Sequence, residues 1–331
     1  MSAWYRRSEL TLRISLFYSG NALANAFGGL IAAGVLNNLD GAHGLESWRW
    51  LFIIEGVITI GVGIIAAFVL PDFPSACKFL SEEEQAYAQW RLIQDANEAD
   101  DKNAASLMQG LKLAFKDYRL YLFILLQHTS ILTQTFQYFF PSIVQTLGYG
   151  RIATLLLTVP VWFCTFGVSL FVTWSAGRTN DRSFHIIGLM IIAATGNAIA
   201  AGTTTTGPRF FAMFLMPMGA ISAYQIIVSW VSASFIRPMV KRSACIATAN
   251  MIGNCASIYG SYMYPSSAGP QYRPGGSANA ACCVLVAMMA LGLRFVNAYE
   301  NKKLERVEQD DFVAEEKPGQ DMRAKGFRYI L

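Results

Sequence analysis

Apolar runs of about 20 residues recur along this 331-residue chain, and no other feature restricts its fold as strongly. A helix rises about 1.5 Å per residue, so each run is long enough to cross the roughly 30 Å of hydrocarbon in a bilayer. Eight helices are read in this way: Ile14–Leu36, Trp50–Leu70, Leu120–Gln145, Ala153–Ser175, Phe184–Gly202, Phe210–Ile236, Ala244–Tyr264 and Asn279–Tyr299. Only 15% of the residues are charged, against about a quarter in soluble domains, and the fold class expected is an all-α membrane protein.

Basic residues orient the spans. With the N-terminus in the cytoplasm, the outside segments hold only Arg49, Arg151, Arg209 and Arg273 of the 26 Lys and Arg. Positive charge is kept on the cytoplasmic side of membrane proteins, so both termini are expected there. The least apolar stretch, Pro71–Arg119, falls on the same side and divides the spans as two and six. Within it Ser81 and Glu84 make a capping-box pattern that predicts a short amphipathic helix through Leu92. The opening MSAWYRRSEL is basic and polar and does not form a cleavable signal peptide. The six cysteines make no CxxC pair and are expected to pack between helices, and no cofactor or metal site is expected.

Polar residues inside the spans share faces. On a helical wheel, Tyr18, Asn21 and Asn25 of the first span line up with Gly28 and Ala32. In the third, Gln127, Ser130, Gln134, Gln137, Tyr138 and Gln145 fall within an arc of about 100°. The fourth gives Thr154, Thr158, Thr165 and Ser169, the sixth Ser222, Gln225, Ser229 and Ser232, and the seventh Asn250, Asn254, Ser257 and Ser261. The second, fifth and eighth are nearly plain. Five striped helices around a wet cavity, with the plain ones at the periphery, make Tyr18, Asn21, Asn25, Gln127, Gln134, Gln137, Tyr138, Gln225, Asn250 and Asn254 the candidate substrate-binding residues. Hydroxyl stripes also serve as interhelical contacts, which accounts well for the fourth helix. Amides are costly to bury without a partner, so the glutamines of the third point more firmly to a cavity.

Glu55 is the one carboxylate well inside a span. An intramembrane acid is a candidate for proton coupling, although Arg49 nearby also allows an interfacial position. His128 lies about 100° off the glutamine face and reads as a packed or hydrogen-bonded histidine. No Ser/His/Asp set, HExxH or carboxylate pair assembles at membrane depth, so an enzyme is not expected.

The loops carry a pattern of their own. Trp4-Tyr5-Arg6-Arg7-Ser8-Glu9 with Arg13, Phe27-Gly28-Gly29-Leu30-Ile31-Ala32, Trp48-Arg49-Trp50-Leu51-Phe52-Ile53-Ile54-Glu55-Gly56 and Leu70-Pro71-Asp72-Phe73-Pro74 resemble, in order, segments of fungal allantoate-permease-type transporters. These are anion:cation symporters of the major facilitator superfamily. Gly177-Arg178-Thr179-Asn180-Asp181-Arg182 is similar to the superfamily's GxxxDR loop, without its downstream basic residues. Lys241-Arg242, Asn250, Gly253-Asn254, Tyr264-Pro265, Pro270-Gln271-Tyr272 and the ending Phe327-Arg328-Tyr329 complete the resemblance.

The resemblance numbers the eight spans as helices 5 to 12 of a twelve-helix fold, with helices 1 to 4 not represented. Residues 1–70 then correspond to the remnant of an N-terminal bundle, 71–119 to a cytoplasmic linker, 120–299 to a C-terminal six-helix bundle and 300–331 to a cytoplasmic tail. It implies proton-coupled symport of a small organic anion (a ureide, vitamin or carboxylate) across the plasma membrane by alternating access, as a monomer. It also implies that Gly177, Asp181 and Arg182 form a loop that changes with conformation. A non-transporting fragment, or a membrane protein that binds a ligand without flux, remains the alternative expectation.

Overall fold

The computed structural model describes residues 4–5, 7–77, 79–96, 107–137, 140, 144, 148–235, 239–269, 271–313 and 328–330. Among them the regular structure is helical throughout. In chain order the helices are α1 (Arg7–Asn38), α2 (Ser47–Val69), α3 (Glu82–Ala96), α4 (Leu107–Phe115), α5 (Tyr118–Gln134) and α6 (Arg151–Thr179). They continue as α7 (Ser183–Gly202), α8 (Thr206–Ser234), α9 (Met239–Asn254), α10 (Ala256–Gly260) and α11 (Arg273–Val313). Six of the described helices, α1, α2, α6, α7, α8 and α11, are long and apolar enough to cross a membrane.

The other two expected spans are helical but shorter. α5 covers the first part of Leu120–Gln145, and the end of that run lies partly outside the described residues. Ala244–Tyr264 is shared between α9, α10 and a 3-10 turn at Ser261–Met263. Cys255, between α9 and α10, has φ −57° and ψ −22°, so the interruption is a local change in hydrogen bonding within a continuing rod.

α8 is the centre of the bundle. It packs against α7, α6, α5 and α1, while α11 closes on α7 and α5, and α9 lies against α5 and α4. Small residues set the closest crossing. A methyl group built on Gly219 of α8 would stand 2.3 Å from the Leu189 carbonyl oxygen and 2.7 Å from the Ala193 amide nitrogen of α7. A methyl built on Gly196 of α7 would meet α8 in return, 3.0 Å from the Ala212 carbonyl oxygen. Lipid tails are as apolar as leucine, so helices in a membrane associate largely through such close backbone packing. α2 is the opposite case. None of its residues is buried, its main helix contact is with α1, and Phe52, Val57, Ile60, Ile64 and Phe68 are all exposed.

The capping box forms. The Ser81 amide donates to Glu84 Oε2 at 2.9 Å, the Glu84 amide donates to Ser81 Oγ at 3.3 Å, and α3 runs beyond Leu92 to Ala96. At the start of α5, Asp117 has two tasks. It caps the helix by accepting from the Arg119 amide at 3.2 Å, and it pairs with Arg119 Nη2 at 2.7 Å and Lys241 Nζ at 2.8 Å. Lys241 lies on α9, so one carboxylate joins the beginnings of two helices.

Residues 328–330 are strapped over the same end. Asn301 of α11 donates to the Tyr329 carbonyl at 2.9 Å and accepts from the Tyr329 amide at 2.7 Å. Trp230 Nε1 of α8 and Asn297 of α11 both donate to the Ile330 carbonyl at 3.0 Å, and Arg119 of α5 stacks on the Tyr329 ring at 4.3 Å. Three helices thus hold one short peptide. Asn301→Ala removes the two hydrogen bonds that Asn301 makes to the Tyr329 backbone, each buried group left unpaired costing about 1–3 kcal/mol. The expected result is at least tenfold faster proteolytic trimming of the C-terminus and faster exchange of the Tyr329 amide. Unchanged trimming would show that the strap does not depend on Asn301.

Candidate functional site

Helical spacing builds a cavity from three elements. On α1, Tyr18 and Asn21 are three residues apart and so share a face, with Phe17 beside them. On α8, Ile221, Tyr224 and Gln225 repeat at three and four residues. Gln134, at the end of α5, comes from the third side. Together these residues line a cavity of about 240 Å³. Its aromatic corner is formed by Tyr18 and Tyr224, whose rings are 6.1 Å apart and nearly perpendicular at 80°.

The wall bears no charge among the residues that line it; its polarity comes from amides and phenols. Asn21 Oδ1 accepts from Asn25, and Gln134 Nε2 donates to the Ser130 carbonyl at 3.3 Å. Gln225 differs. It is 1% exposed, and neither its Nε2 nor its Oε1 has a hydrogen-bond partner among the described residues. Buried polar atoms are paired in nine cases out of ten or more, and each one left unpaired costs about 1–3 kcal/mol.

The structure therefore brings Tyr18, Asn21, Gln134 and Gln225 of the sequence candidates together as lining residues, and the other described candidates do not line the cavity. Gln127 donates to Asn250 across the α5–α9 contact and, without lining the cavity, also bonds the Tyr224 phenol of its wall. Asn25 and Asn254 both turn back to their own helices, donating to the carbonyls of Asn21 and Asn250 at 2.8 Å. Gln137 is half-buried beyond the end of α5, and Tyr138 lies outside the described residues. Glu55 is exposed on α2, and its carboxylate has no polar partner among the described residues. It does not join the cavity.

The hydroxyls of α6 bond back to their own helix rather than across to a neighbour. Thr158, Thr165, Ser169 and Thr173 are buried and donate to carbonyls three or four residues back, at 2.6–2.8 Å. His128 of α5 is held by the Ile252 carbonyl of α9 and the Tyr259 hydroxyl of α10.

The loop between α6 and α7 is tied down at both of its charged residues. Asp181 meets Arg294 of α11 at 2.5 Å and accepts from the Phe184 amide at 3.1 Å. Burial alone would raise the Asp181 carboxyl, but the Arg294 hydrogen bond and those from Phe184 and Ser183 hold it below the usual carboxylate range. Arg182 is buried and donates to the Ser229 carbonyl of α8 at 2.9 Å.

Several of these partners escape a reading of faces. Tyr224 lies about 100° from Gln225 on the wheel, at the edge of the stripe it completes. α7 and α11 look plain in sequence, yet Asn279 donates to Asn197 Oδ1 at 3.1 Å and to the Tyr264 hydroxyl at 3.1 Å in a buried cluster between them.

Three relatives place this geometry among known proteins. The chain is 32% identical to the MFS-type transporter cnsO of Penicillium expansum, over 92% of its own length and 61% of that protein. It is 29% identical to an uncharacterised transporter of Schizosaccharomyces pombe, over 100% of its own length and 68% of that protein. With the high-affinity nicotinic acid transporter of Saccharomyces cerevisiae the identity is 26%, over 92% of this chain and 56% of the relative. The chain thus spans about six tenths of the length of these relatives. Residues 1–309 match the family description "Major Facilitator Superfamily", a stretch that takes in α1 and α2 as well as the bundle around α8. The chain belongs to the Major Facilitator Superfamily, as a multi-pass membrane protein.

Proposed function

We propose that the chain serves transport of a small organic anion, bound in the cavity between α1, α5 and α8 and moved with protons by alternating access. The observation that carries this reading is the cavity itself. Amide and phenol side chains share its largely apolar wall with Phe17 and Ile221, between α5 and two helices, α1 and α8, apolar enough to cross a membrane, where polar side chains are expensive and mark solute pathways. The relatives named as transporters support movement of a solute, and the nicotinic acid transporter supports a ring carboxylate as its class. The allantoate-permease resemblance of the loops supports coupling to protons, with Glu55 as the intramembrane acid available on this chain. The distribution of Lys and Arg supports cytoplasmic termini, and the same resemblance supports the plasma membrane.

Reconstitution into liposomes tests the proposal. With an inward proton gradient, labelled nicotinate should accumulate at least tenfold above empty liposomes, and a protonophore should abolish the excess. Ile221→Trp, which fills the cavity, should remove accumulation without lowering the amount of folded protein. Binding that Ile221→Trp abolishes, without gradient-driven accumulation by the unsubstituted chain, would replace transport with ligand binding alone. Accumulation that persists in Ile221→Trp would move the pathway away from this cavity.

A further inference from the structure

We propose that the ends of α5, α8 and α11 form a peptide-binding site whose resident ligand is the chain's own segment 328–330. The site reads an extended aromatic–aliphatic pair, here Tyr329 and Ile330, chiefly through its backbone. It takes the same kind of peptide from another molecule once the resident one is released. None of its residues lines the cavity, so it stands independently of the transport reading.

Helical spacing lays the site out along α11. Asn297, Asn301 and Glu305 follow one another at four-residue intervals and so share a face. They meet the segment in reverse order. Asn297 donates to the Ile330 carbonyl at 3.0 Å, Asn301 pairs with the Tyr329 backbone, and Glu305 faces Arg328 at 3.4 Å. The segment therefore runs antiparallel to α11, and it has no helix or strand of its own. Asn301 makes the most specific contact. Its one carboxamide donates to the Tyr329 carbonyl at 2.9 Å and accepts from the Tyr329 amide at 2.7 Å. Trp230 Nε1 of α8 adds a second donor to the Ile330 carbonyl at 3.0 Å. In peptide recognition such main-chain bonds give affinity, and side-chain pockets give selectivity.

The selective pocket holds the Tyr329 ring, which is 6% exposed. Its floor is the Arg119 guanidinium, 4.3 Å from the ring centroid. Asp117 fixes that group by accepting from Nε at 3.0 Å and from Nη2 at 2.7 Å. A guanidinium held flat in this way is a platform for an aromatic face. Phe123 stands edge-on to both Trp230 and Phe235, at 5.6 and 5.7 Å, so the indole donor is anchored in a buried aromatic cluster. The parts of the site are thus fixed by the contacts of the bundle itself. When the segment leaves, water can take over the hydrogen bonds that it gave up. The exposed Glu305–Arg328 pair adds little, which leaves the aromatic ring and its free amide to define the ligand class.

Fluorescence anisotropy on the full chain in detergent tests the proposal, with a labelled Phe-Arg-Tyr-Ile-Leu peptide, the sequence of residues 327–331, as probe. A ligand carried on the same chain competes at an effective concentration on the order of millimolar, so the unsubstituted protein should bind the probe weakly. Tyr329→Pro removes the amide and the ring from the resident segment and leaves every residue of the site in place. It should bind the probe about tenfold more tightly or better. Adding Asn301→Ala to that variant should cost about tenfold, and so should N-methylation of the tyrosine in the probe, because each breaks the backbone pair. Equal binding by the unsubstituted protein and Tyr329→Pro, or binding by neither, would overturn the proposal. Binding that survives both Asn301→Ala and the N-methyl probe would do the same. Tyr329→Ala is the milder release, losing the ring and keeping the amide. If neither variant yields folded protein, the segment is part of the fold and not its ligand, and the proposal falls.

Discussion

Alanine at position 219 should leave little folded protein. The added methyl would stand 2.3 Å from the Leu189 carbonyl oxygen, a backbone atom that no change of rotamer can move aside. α7 and α8 must then separate by about 1 Å along the crossing that also holds Gly196 against Ala212. Overpacking a core costs about 1–3 kcal/mol even where side chains can shift, and here backbone meets backbone, so a loss of about 3 kcal/mol or more is expected. Gly188→Ala on α7 is the control, since a methyl there meets nothing within 4 Å and alanine is the better helix former. Size-exclusion melting of both variants decides the matter. If Gly219→Ala melts with the unsubstituted protein, the crossing is not set by glycine.

Asp117→Asn should be nearly as damaging, through charge rather than volume. Its carboxylate neutralises Arg119 and Lys241, and the Asp117 side chain is 8% exposed. Asparagine keeps a capping oxygen for α5, so the substitution isolates the loss of charge. Removing one member of a buried ion pair costs about 3–5 kcal/mol, because the remaining charge is left without compensation. Combining Asp117→Asn with Lys241→Met should therefore recover part of the loss, and an additive result would argue against coupling.

Acid provides a second reading of the same group. Burial alone would raise the Asp117 carboxyl, but the hydrogen bonds from Arg119 and Lys241 outweigh it and bring the group down from 3.8 to about 2. The folded pKa lies below the unfolded one, so this contribution is complete above about pH 4 and is lost as pH falls towards 2. The gap in stability between the unsubstituted protein and Asp117→Asn should narrow across that window. A gap of constant width would mean that Asp117 is not the titrating group.

What could be read in advance follows from what a linear pattern contains. Six of the expected spans are described helices long and apolar enough to cross a membrane, because an uninterrupted run of that length has few other solutions. Ser81 and Glu84 found each other because a capping box needs only three residues of spacing. A helical wheel gives a face but not the partner opposite it. Gln127 and Gln134 share a face, yet one closes on Asn250 while the other reaches the cavity. The missed contacts lie further apart in the chain. Asp181 and Arg294 are 113 residues apart, and Asn279 and Asn197 are 82 apart. A lone arginine or asparagine beside an apolar run has no spacing to betray which helix it will meet.

α2 has one more consequence, for how this chain tolerates change. None of its 23 residues is buried and its main helix contact is with α1, so among the described residues few neighbours fix the shape of its side chains. Exchanging one large apolar residue for another there alters neither a cavity nor a crossing. Gly219 has the reverse status: one position, one permitted residue. Random apolar substitution should consequently accumulate along α2 almost freely, and single introduced cysteines there make reporter sites that leave the folded bundle unaltered.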